Sequence, residues 1–452
     1  MSAEKQICQK EIEYLSQVIL KDHLGLELDF TVEDNDIKIV LKNGRKLIFK
    51  ETFFLKFKKP NEYMSISNIP RSVKWFKNQF TDDEAVPVIF GSGEIIEENG
   101  NLICYADIPA SAFFMLTRWE ESVVGKVDEH KRFSAKDSLA FKERFIDKPV
   151  VDIYSEIIWK MLLHLGLEKN KKVHQFEIEP SHDVDNPLFY HFSPLNKIAK
   201  SLAKDIIRKK DVALFISNLA KLYKVKTGNI KADPFYTFDY IMQKSEELGL
   251  KSTFYFLSGV SEKKYDGHYL LENKVIKTLA FEILNRGHDI GLHGSYNTIF
   301  DQAAASEEFE KLKNLYGRLG FNSKKWSSRQ HYLRFSVPET FQILENTGLN
   351  YDSTLTYADC IGFRTGTCRK FRVFNFKTRK MLNLIEKPLL VMDATLMFPK
   401  YMGLGFGQEA LEKALKIKSE CRKYNGIFSV LWHNSELDTS EKRELYSGIL
   451  EG

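Results

Sequence analysis

The chain has 452 residues, 43% of them hydrophobic, and its 66 basic and 61 acidic residues leave a formal net charge of only +5. This length exceeds one typical domain and predicts two. The small net charge gives no bulk electrostatic reason to bind nucleic acid, so a charged partner would have to be recognised locally. The five cysteines form neither a CxxC nor a paired zinc spacing, which is typical of free thiols and favours the cytoplasm.

The N-terminal residues, Met1 to Lys5, begin a charged amphipathic segment that lacks the apolar core of a signal peptide. No stretch approaches the roughly 18 apolar residues of a membrane-spanning helix. We therefore expect neither a secretion signal nor a transmembrane segment.

Residues 1–171 are predicted to form a separate, smaller α/β domain of unknown role. The predicted elements are an opening helix (Gln9–Leu20), two strands paired around Asn43-Gly44 (Asp36–Val40 and Lys46–Phe49), a strand (Val86–Phe90) and two helices (Asp107–Glu121 and Val151–Leu165). Arg118, Glu120 and Glu121 are interpreted as a solvated face of the first of these helices, although they could also form a site.

Residues 172–452 show a different pattern, in which predicted strands and helices alternate. After a strand that begins at Phe176 come Pro234–Leu248 (helix), Ser252–Leu257 (strand), Val275–Asn285 (helix), His288–His293 (strand), Glu307–Leu319 (helix), Trp326–Arg329 (strand), Pro338–Thr347 (helix), Leu349–Asp352 (strand), Glu409–Tyr424 (helix) and Ile427–Trp432 (strand). This alternation predicts parallel strands covered by helices, in an open sheet or a closed barrel.

A basic insertion at about residues 190–233 interrupts the alternation, with ten Lys or Arg residues between positions 195 and 231. Ile198, Leu202 and Ile206, followed by Leu219 and Leu222, give it a helical apolar stripe. Such helices can lie on anionic lipid or hold an acidic glycan, whereas a helical lid with solvated lysines is the simpler interpretation.

Polar residues follow the apolar strands in four places: Ser181–Asp185, His288–His293, Ser328–Tyr332 and Leu431–His433. The carboxyl ends of parallel strands are where both architectures build active sites. Asp183 and Asp185 project the same way if the strand continues, although Asp is also a common turn former. The period of two in the next strand lets His293 face the same edge.

In this order the four segments resemble the polysaccharide deacetylase family (carbohydrate esterase family four), over roughly Lys172 to the C-terminus. Its enzymes remove N- or O-acetyl groups from glycans at a divalent metal, and for this chain we predict a divalent metal, with zinc as the first choice. The resemblance implies a distorted (β/α) barrel for residues 172–452. Residues 1–171 resemble an uncharacterised domain that precedes some bacterial deacetylase-like modules.

The resemblance also implies metal ligands. Asp185 and His293 match metal-binding positions of the family. Asn297 stands where the family has its second metal-binding histidine, and His331 stands where the family has a proline. An amide oxygen is a weaker ligand for zinc than imidazole, so the third ligand is either Asn297 or His331.

The resemblance implies catalytic roles as well. Asp183 matches the base, Arg329 the residue that orients it, and His433 the general acid, with Asp352 or Asp393 as its partner. Three further residues are expected to contact substrate: Tyr332, whose backbone amide would help to hold the oxyanion, Arg364 in a loop at Gly362–Gly366, and Trp432 beside the pocket.

The sequence therefore predicts a metal-dependent hydrolase that removes an acetyl group from an amino sugar in a glycan or a sugar-lipid precursor. Two alternatives remain. One is a non-catalytic glycan-binding module that lost a ligand at Asn297, and the other is an amidohydrolase of a small non-sugar amide.

Overall fold

The structure is a computed structural model that describes residues 8–50, 52–207 and 209–452. The Met1–Lys5 segment and Arg208 of the basic insertion lie outside the described residues. Within them the fold is mixed α/β, as predicted.

Sixteen strands are formed by the described residues: β1 (Thr31–Glu33), β2 (Asp36–Val40), β3 (Lys46–Phe49), β4 (Lys74–Phe76), β5 (Val86–Val88), β6 (Gly91–Glu98), β7 (Asn101–Ala106), β8 (Glu177–Val184), β9 (Thr253–Leu257), β10 (Asp289–Gly294), β11 (Ser327–Gln330), β12 (Tyr351–Asp352), β13 (Phe371–Asn375), β14 (Lys380–Glu386), β15 (Val391–Met392) and β16 (Ile427–Leu431).

The α-helices of the described residues are α1 (Gln9–Leu15), α2 (Ile108–Thr117), α3 (Trp119–Val124), α4 (Leu139–Lys142), α5 (Val150–His164), α6 (Phe189–Phe192), α7 (Leu195–Ile207), α8 (Val212–Lys226), α9 (Phe238–Glu247), α10 (Lys274–Asn285), α11 (Gln302–Arg318), α12 (Glu339–Thr347), α13 (Asp393–Met397), α14 (Gln408–Lys423) and α15 (Ser440–Glu451). A π-helix, Ser16–His23, continues α1. Short 3-10 turns lie at Phe54–Lys56, Ile66–Asn68, Ala135–Asp137, Ile230–Ala232, Thr298–Phe300, His331–Leu333 and Asn434–Glu436.

The chain divides into two compact units, each built from separate segments. The first unit comprises Met1–Glu177, Leu333–Leu390 and Lys416–Phe428, and the second comprises Ile178–Tyr332, Val391–Leu415 and Ser429–Gly452. The C-terminal half of the sequence thus contributes to both. The division into domains of residues 1–171 and 172–452 stays a prediction.

The first unit contains a five-stranded sheet in the order β1-β2-β3-β7-β6. The predicted pairing of β2 with β3 is confirmed, because these strands are antiparallel with Ile37 opposite Phe49. Gly44 in the turn between them has a φ of +81°, a conformation that glycine adopts without steric cost. The unit also holds the β13-β14-β12 strands and the β4-β5 pair.

The expected solvated face at Arg118 is wrong. Arg118, Glu120 and Glu121 are 0%, 1% and 8% exposed. Arg118 has a left-handed φ of 54° that ends α2 and precedes α3, so one helical periodicity does not run through the predicted helix. Its guanidinium lies 3.0 Å from Glu120 and 2.9 Å from Glu121, and this pairing compensates for the burial of the charges.

The second unit contains strands in the order β11-β10-β9-β8-β16-β15. β8 with β9, β9 with β10, β10 with β11, and β15 with β16 are all parallel, which confirms the predicted parallel arrangement for these pairs. The described strand order within this unit does not return to its start, so the closed barrel of the sequence prediction is not confirmed.

Among the described residues, no helix combines the length and the apolar character required to cross a membrane.

Candidate active site

The polar residues singled out in the sequence follow the carboxyl ends of neighbouring parallel strands in the second unit. Asp183 lies at the end of β8 and Asp185 just beyond it, and His293 lies near the end of β10. His331 follows β11, and His433 follows β16 by two residues. Because parallel strands end at one edge of a sheet, these side chains are brought together.

Asp185, His293 and His331 form the centre of this group. The Nε2 atom of His293 lies 3.1 Å from Asp185 Oδ1, and the Nε2 atom of His331 lies 3.5 Å from the same oxygen. One ligand atom from each residue falls within 4.8 Å of the others, a spacing that could hold a metal ion. The structure thus brings His331, and not only the two residues matched to the family motif, into the cluster.

A hydrogen bond from Nδ1 orients each of the two imidazole rings. His293 donates through Nδ1 to the backbone carbonyl of Arg329 at 2.9 Å, and His331 donates through Nδ1 to Asp266 Oδ1 at 2.9 Å. These bonds assign the Nδ1 proton of each ring and leave Nε2 facing Asp185. Histidine ligands of metals are usually held in this way.

Asp266 is the residue that sequence reasoning missed. It lies in the loop after β9, is 3% exposed, and accepts backbone N–H bonds from Ser261, Glu262 and Tyr296, each at 2.8 Å. The backbone at the following Gly267 is tightly packed. A Cβ atom there would lie 2.3 Å from the Asp185 carbonyl oxygen, so this position requires glycine for close approach.

The charges of the cluster shift its pKa values in opposite directions. Burial alone lowers the pKa of His331, but Asp185 and Asp266 outweigh it and raise that pKa to about 9. Burial alone raises the pKa of Asp185, but His331 and His293 outweigh it and hold that pKa well below its usual range. Asp185 is therefore ionised at neutral pH, and His331 carries a proton where a cation could bind.

Asp183 lies on one side of this cluster. It is 3% exposed, and its Oδ2 is 3.7 Å from His293 Nε2. The guanidinium of Arg329 lies 3.4 Å from Asp183 Oδ1 and packs over the ring of Tyr255, 4.7 Å from its centroid. Arg329 is itself 1% exposed, so the carboxylate of Asp183 has a fixed cationic neighbour.

His433 lies on another side, with its Nε2 3.7 Å from Asp185 Oδ2. Its Nδ1 donates to Asp393 Oδ1 at 2.8 Å, and its backbone N–H donates to Asp393 Oδ2 at 2.7 Å. Of the two partners left open by the sequence, the structure pairs Asp393 with His433. Burial alone lowers the pKa of His433, but Asp393 outweighs it and raises that pKa to about 10.

Asn297 and Tyr332 are placed at the margin of the site. Asn297 donates through Nδ2 to the Ser261 carbonyl at 3.3 Å, and its backbone N–H donates to Ser261 Oγ at 2.8 Å. Tyr332 has a left-handed φ of 61°, and its ring lies 5.4 Å and 5.6 Å from the rings of Tyr265 and Tyr296. The three tyrosines form an aromatic group next to His331.

Arg364 and Trp432 have different surroundings from those expected. Arg364 belongs to the first unit, where it is 2% exposed and donates to Glu121 at 2.9 Å and to the Thr356 carbonyl at 2.6 Å. Trp432 is fully buried in the second unit, and its indole N–H donates to the Glu436 carbonyl at 3.1 Å. The substrate contacts predicted for these two residues stay predictions.

The donor set fits a divalent cation. Two imidazole nitrogens and one carboxylate are the ligands that zinc and similar metals prefer. With both Nδ1 atoms donating to acceptors, the two Nε2 atoms face the same ionised carboxylate. A divalent cation bound there would take the place of the proton that His331 carries.

Residues 1–166 match the model of a family of unknown function, DUF7033. Comparison with curated proteins found no match. Solved structures similar to this chain include the following three, each at low sequence identity.

Two are designated polysaccharide deacetylases. The protein from Mycobacterium smegmatis is 12% identical with a TM-score of 0.38, over 62% of this chain and 83% of its own. The protein from Pseudomonas aeruginosa PAO1 is 11% identical with a TM-score of 0.38, over 64% of this chain and 89% of its own. The third, Puue allantoinase, is 14% identical with a TM-score of 0.35, over 61% of this chain and 83% of its own. These values do not establish a family.

Proposed function

We propose that the second unit is a divalent-metal-dependent hydrolase of an amide bond, and that its substrate is an acetylated amino sugar in a glycan or sugar-lipid precursor. The observation that carries this proposal is the convergence of Asp185, His293 and His331, with the carboxylate of Asp183 near His293 and the imidazole of His433 near Asp185. Amide hydrolysis needs both an acceptor and a donor of protons.

Asp183 is the group suited to accept the proton of the attacking water. It is buried beside the cluster, and Arg329, held over the Tyr255 ring, fixes the carboxylate. A carboxylate in a fixed position is an effective base because no reorganisation is required when the proton moves.

His433 is the group suited to donate the second proton. Asp393 keeps its imidazole charged at neutral pH, and the Nε2 proton is directed toward Asp185. The leaving nitrogen of an amide requires protonation, because an amine anion leaves poorly.

A divalent cation held by Asp185, His293 and His331, zinc being our first choice, would act as a Lewis acid on the substrate carbonyl and on water. The protein's own contribution is to orient both imidazoles and to restrict the approach of solvent. The side chains of His293 and His331 are 1% and 4% exposed, whereas those of Asp185 and His433 are 26% and 18% exposed. Substrate would therefore approach from the side of Asp185 and His433.

The sugar part of the proposal is supported by the aromatic group beside the site. Tyr265 and Tyr296 stack with ring centroids 4.4 Å apart, and Tyr332 lies across them. Aromatic faces next to polar groups are typical of sites that bind molecules with both apolar faces and hydroxyl edges.

The test measures acetate released by the zinc-loaded full chain from a panel of N-acetylated saccharides and, separately, from small non-sugar amides. We expect release from a saccharide, and loss of at least a hundredfold in Asp183→Asn. The matched control is Asp233→Asn, because Asp233 is also buried in the second unit but accepts backbone N–H bonds from Phe189, Tyr190 and Phe235.

Two results would contradict the proposal. Release from small amides alone would favour the non-sugar amidohydrolase. Tight saccharide binding without hydrolysis of any amide would favour a binding module.

A further inference from the structure

The basic insertion of the second unit exposes an apolar stripe along one helix. On α8, Val212, Ile216, Leu219 and Tyr223 are 60%, 60%, 46% and 71% exposed. Their spacing of four, three and four residues places them on one side of the helix. Large apolar side chains exposed in a continuous row are unusual on a soluble surface and indicate a binding surface.

The stripe is not the face that attaches the helix to the protein. Val225, which is 3% exposed, forms a small core with Tyr190 and Ile198, and Leu202 and Leu222 pack against it. Asn218 of α8 also donates to Asp205 of α7 at 2.8 Å. Because α8 has a separate packed face, the exposed stripe is available without unfolding the hairpin.

Further apolar side chains are exposed at the turn of the hairpin. Ile206 and Ile207 at the end of α7 are 44% and 74% exposed. Lys209 and Lys210, both exposed, follow them in the turn that leads to α8. Two exposed isoleucines and two exposed lysines therefore lie close together in the sequence at this end of the hairpin.

The charge of the hairpin is strongly positive. Residues 195–231 contain ten Lys or Arg and two Asp, a net charge of +8, whereas the whole chain carries +5. Both acidic residues already have partners, since Asp205 pairs with Lys209 at 3.0 Å and Asp211 caps α8 by accepting from the Leu214 N–H. The remaining lysines therefore dominate the field around the stripe.

We propose that the α7–α8 hairpin binds the surface of a membrane that contains anionic lipids. An apolar stripe alone would suit a partner protein, and lysines alone would suit an acidic polymer. Exposed apolar residues flanked by lysines match the two regions of a membrane surface. The apolar side chains enter the outer part of the acyl region, and the lysines contact the anionic headgroups.

Helical spacing supports this placement of the lysines. At 100° per residue, Lys224 and Lys226 lie on opposite sides of the stripe that contains Tyr223. Long lysine side chains in such positions can extend to the headgroups while the helix lies in the plane of the interface. This proposal does not depend on the activity of the Asp185 cluster.

The experiment is sedimentation of the full chain with vesicles of phosphatidylcholine alone and of phosphatidylcholine with 30% phosphatidylserine. We expect binding to the anionic vesicles, weakened by salt, and little binding to the neutral ones. Replacing Ile216, Leu219 and Tyr223 by Ser should reduce the partition coefficient at least tenfold. Lys224→Gln with Lys226→Gln should reduce it by about fivefold per lysine.

The controls change equivalent residues elsewhere in the second unit. Phe300→Ser removes an apolar side chain that is 53% exposed, and Lys274→Gln with Lys413→Gln removes two exposed lysines. Both should leave binding unchanged. Equal losses in the hairpin and control variants, or no vesicle binding by the full chain, would overturn the proposal.

Other occupants of the stripe give distinct results that also overturn it. If the triple Ser variant converts a dimer to a monomer in light scattering and vesicles do not bind, the surface joins two copies of the chain. If the lysine variant loses binding to an acidic polysaccharide and vesicles do not bind, the partner is a glycan.

Discussion

Asp266 holds the imidazole of His331 through a 2.9 Å hydrogen bond from Nδ1, which directs Nε2 toward the other residues of the site. His331 is thereby part of the cluster. The family resemblance of the sequence did not indicate this, because the corresponding position of that family is a proline. The loop that carries Asp266 is fixed in turn by three backbone N–H bonds to the same carboxylate. Asp266 is therefore not one of the three clustered residues, but it orients His331, which is the third of them.

We predict that Asp266→Asn lowers zinc affinity about 10- to 100-fold. The amide oxygen of asparagine can accept the hydrogen bond from His331, but it lacks the negative charge that helps to orient the imidazole. Calorimetric titration of the metal-free protein measures the change. Asp233→Asn is the control for the loss of a buried, backbone-bonded carboxylate, and it should leave zinc affinity unchanged. Equal losses in the two variants would assign Asp266 a purely structural role.

A second prediction separates the two candidates for the third ligand. His331→Asn should lower zinc affinity at least tenfold, because it removes an imidazole that faces Asp185 at 3.5 Å. Asn297→Ala should change it less than threefold, because the Asn297 amide donates to the Ser261 carbonyl. Titrations are accompanied by thermal melting, so that a loss of fold is recognised. The reverse order of effects would assign the third position to Asn297.

A third prediction concerns pH. Because Asp185 and Asp266 raise the pKa of His331 to about 9, its Nε2 is protonated at neutral pH and the metal must displace that proton. Zinc affinity should therefore weaken as the pH falls below 9, by up to about tenfold per pH unit. Titration at pH 7 in two buffers of different ionisation enthalpy should show proton release. The His433→Gln variant should show it too, which excludes His433 as the source.

The sequence was sufficient for the parallel strands and for the edge at which the site forms. The period of two placed His293 at this edge, since alternation follows directly from backbone geometry. Asp183 and Asp185 were assigned through the family resemblance, and Asp185 lies just beyond the end of β8. The sequence did not show that α2 ends at Arg118, because a left-handed residue between two helices does not alter the spacing of the apolar residues. Nor could it assign segments to compact units, which depend on contacts between residues distant in sequence.

For the site, sequence patterns located the groups that follow strands and missed the one in a loop. His433 was found with two possible partners, and only the fold pairs Asp393 with it. Asp266 lies well beyond the end of β9, so no strand register predicts where its side chain points. Long-range pairing of this kind is set by loop closure and not by local propensity.

A fourth prediction tests the proton donor. His433→Gln should lower acetate release by about 10²- to 10⁴-fold while zinc affinity and melting temperature stay close to those of the unchanged protein. Asp393→Asn should move the alkaline limb of the pH–rate profile to lower pH, because Asp393 is the main group that raises the pKa of His433. Loss of zinc from His433→Gln would make His433 a ligand.

The last prediction concerns stability and a carboxyl group that the proposed chemistry does not use. Glu308 on α11 is 4% exposed and bonded to the backbone N–H and hydroxyl of Ser295. Burial raises its pKa to about 7, and the charge of Asp266 adds to this increase. The folded protein therefore keeps a proton that the unfolded chain loses near pH 4.5.

Because the folded state binds more protons between these two pKa values, its stability should fall as the pH rises through this window, by up to ~3 kcal/mol above pH 7. Glu308→Gln has nearly the same shape, keeps an oxygen that can accept from Ser295 and cannot ionise, so it should remove this loss. Urea midpoints of the metal-free protein at pH 5 and pH 8 measure the effect. Glu307→Gln, on the same helix with its side chain 69% exposed, should behave like the unchanged protein. If Glu308→Gln is instead less stable at pH 8 than the unchanged protein, the carboxylate is the form that the fold prefers.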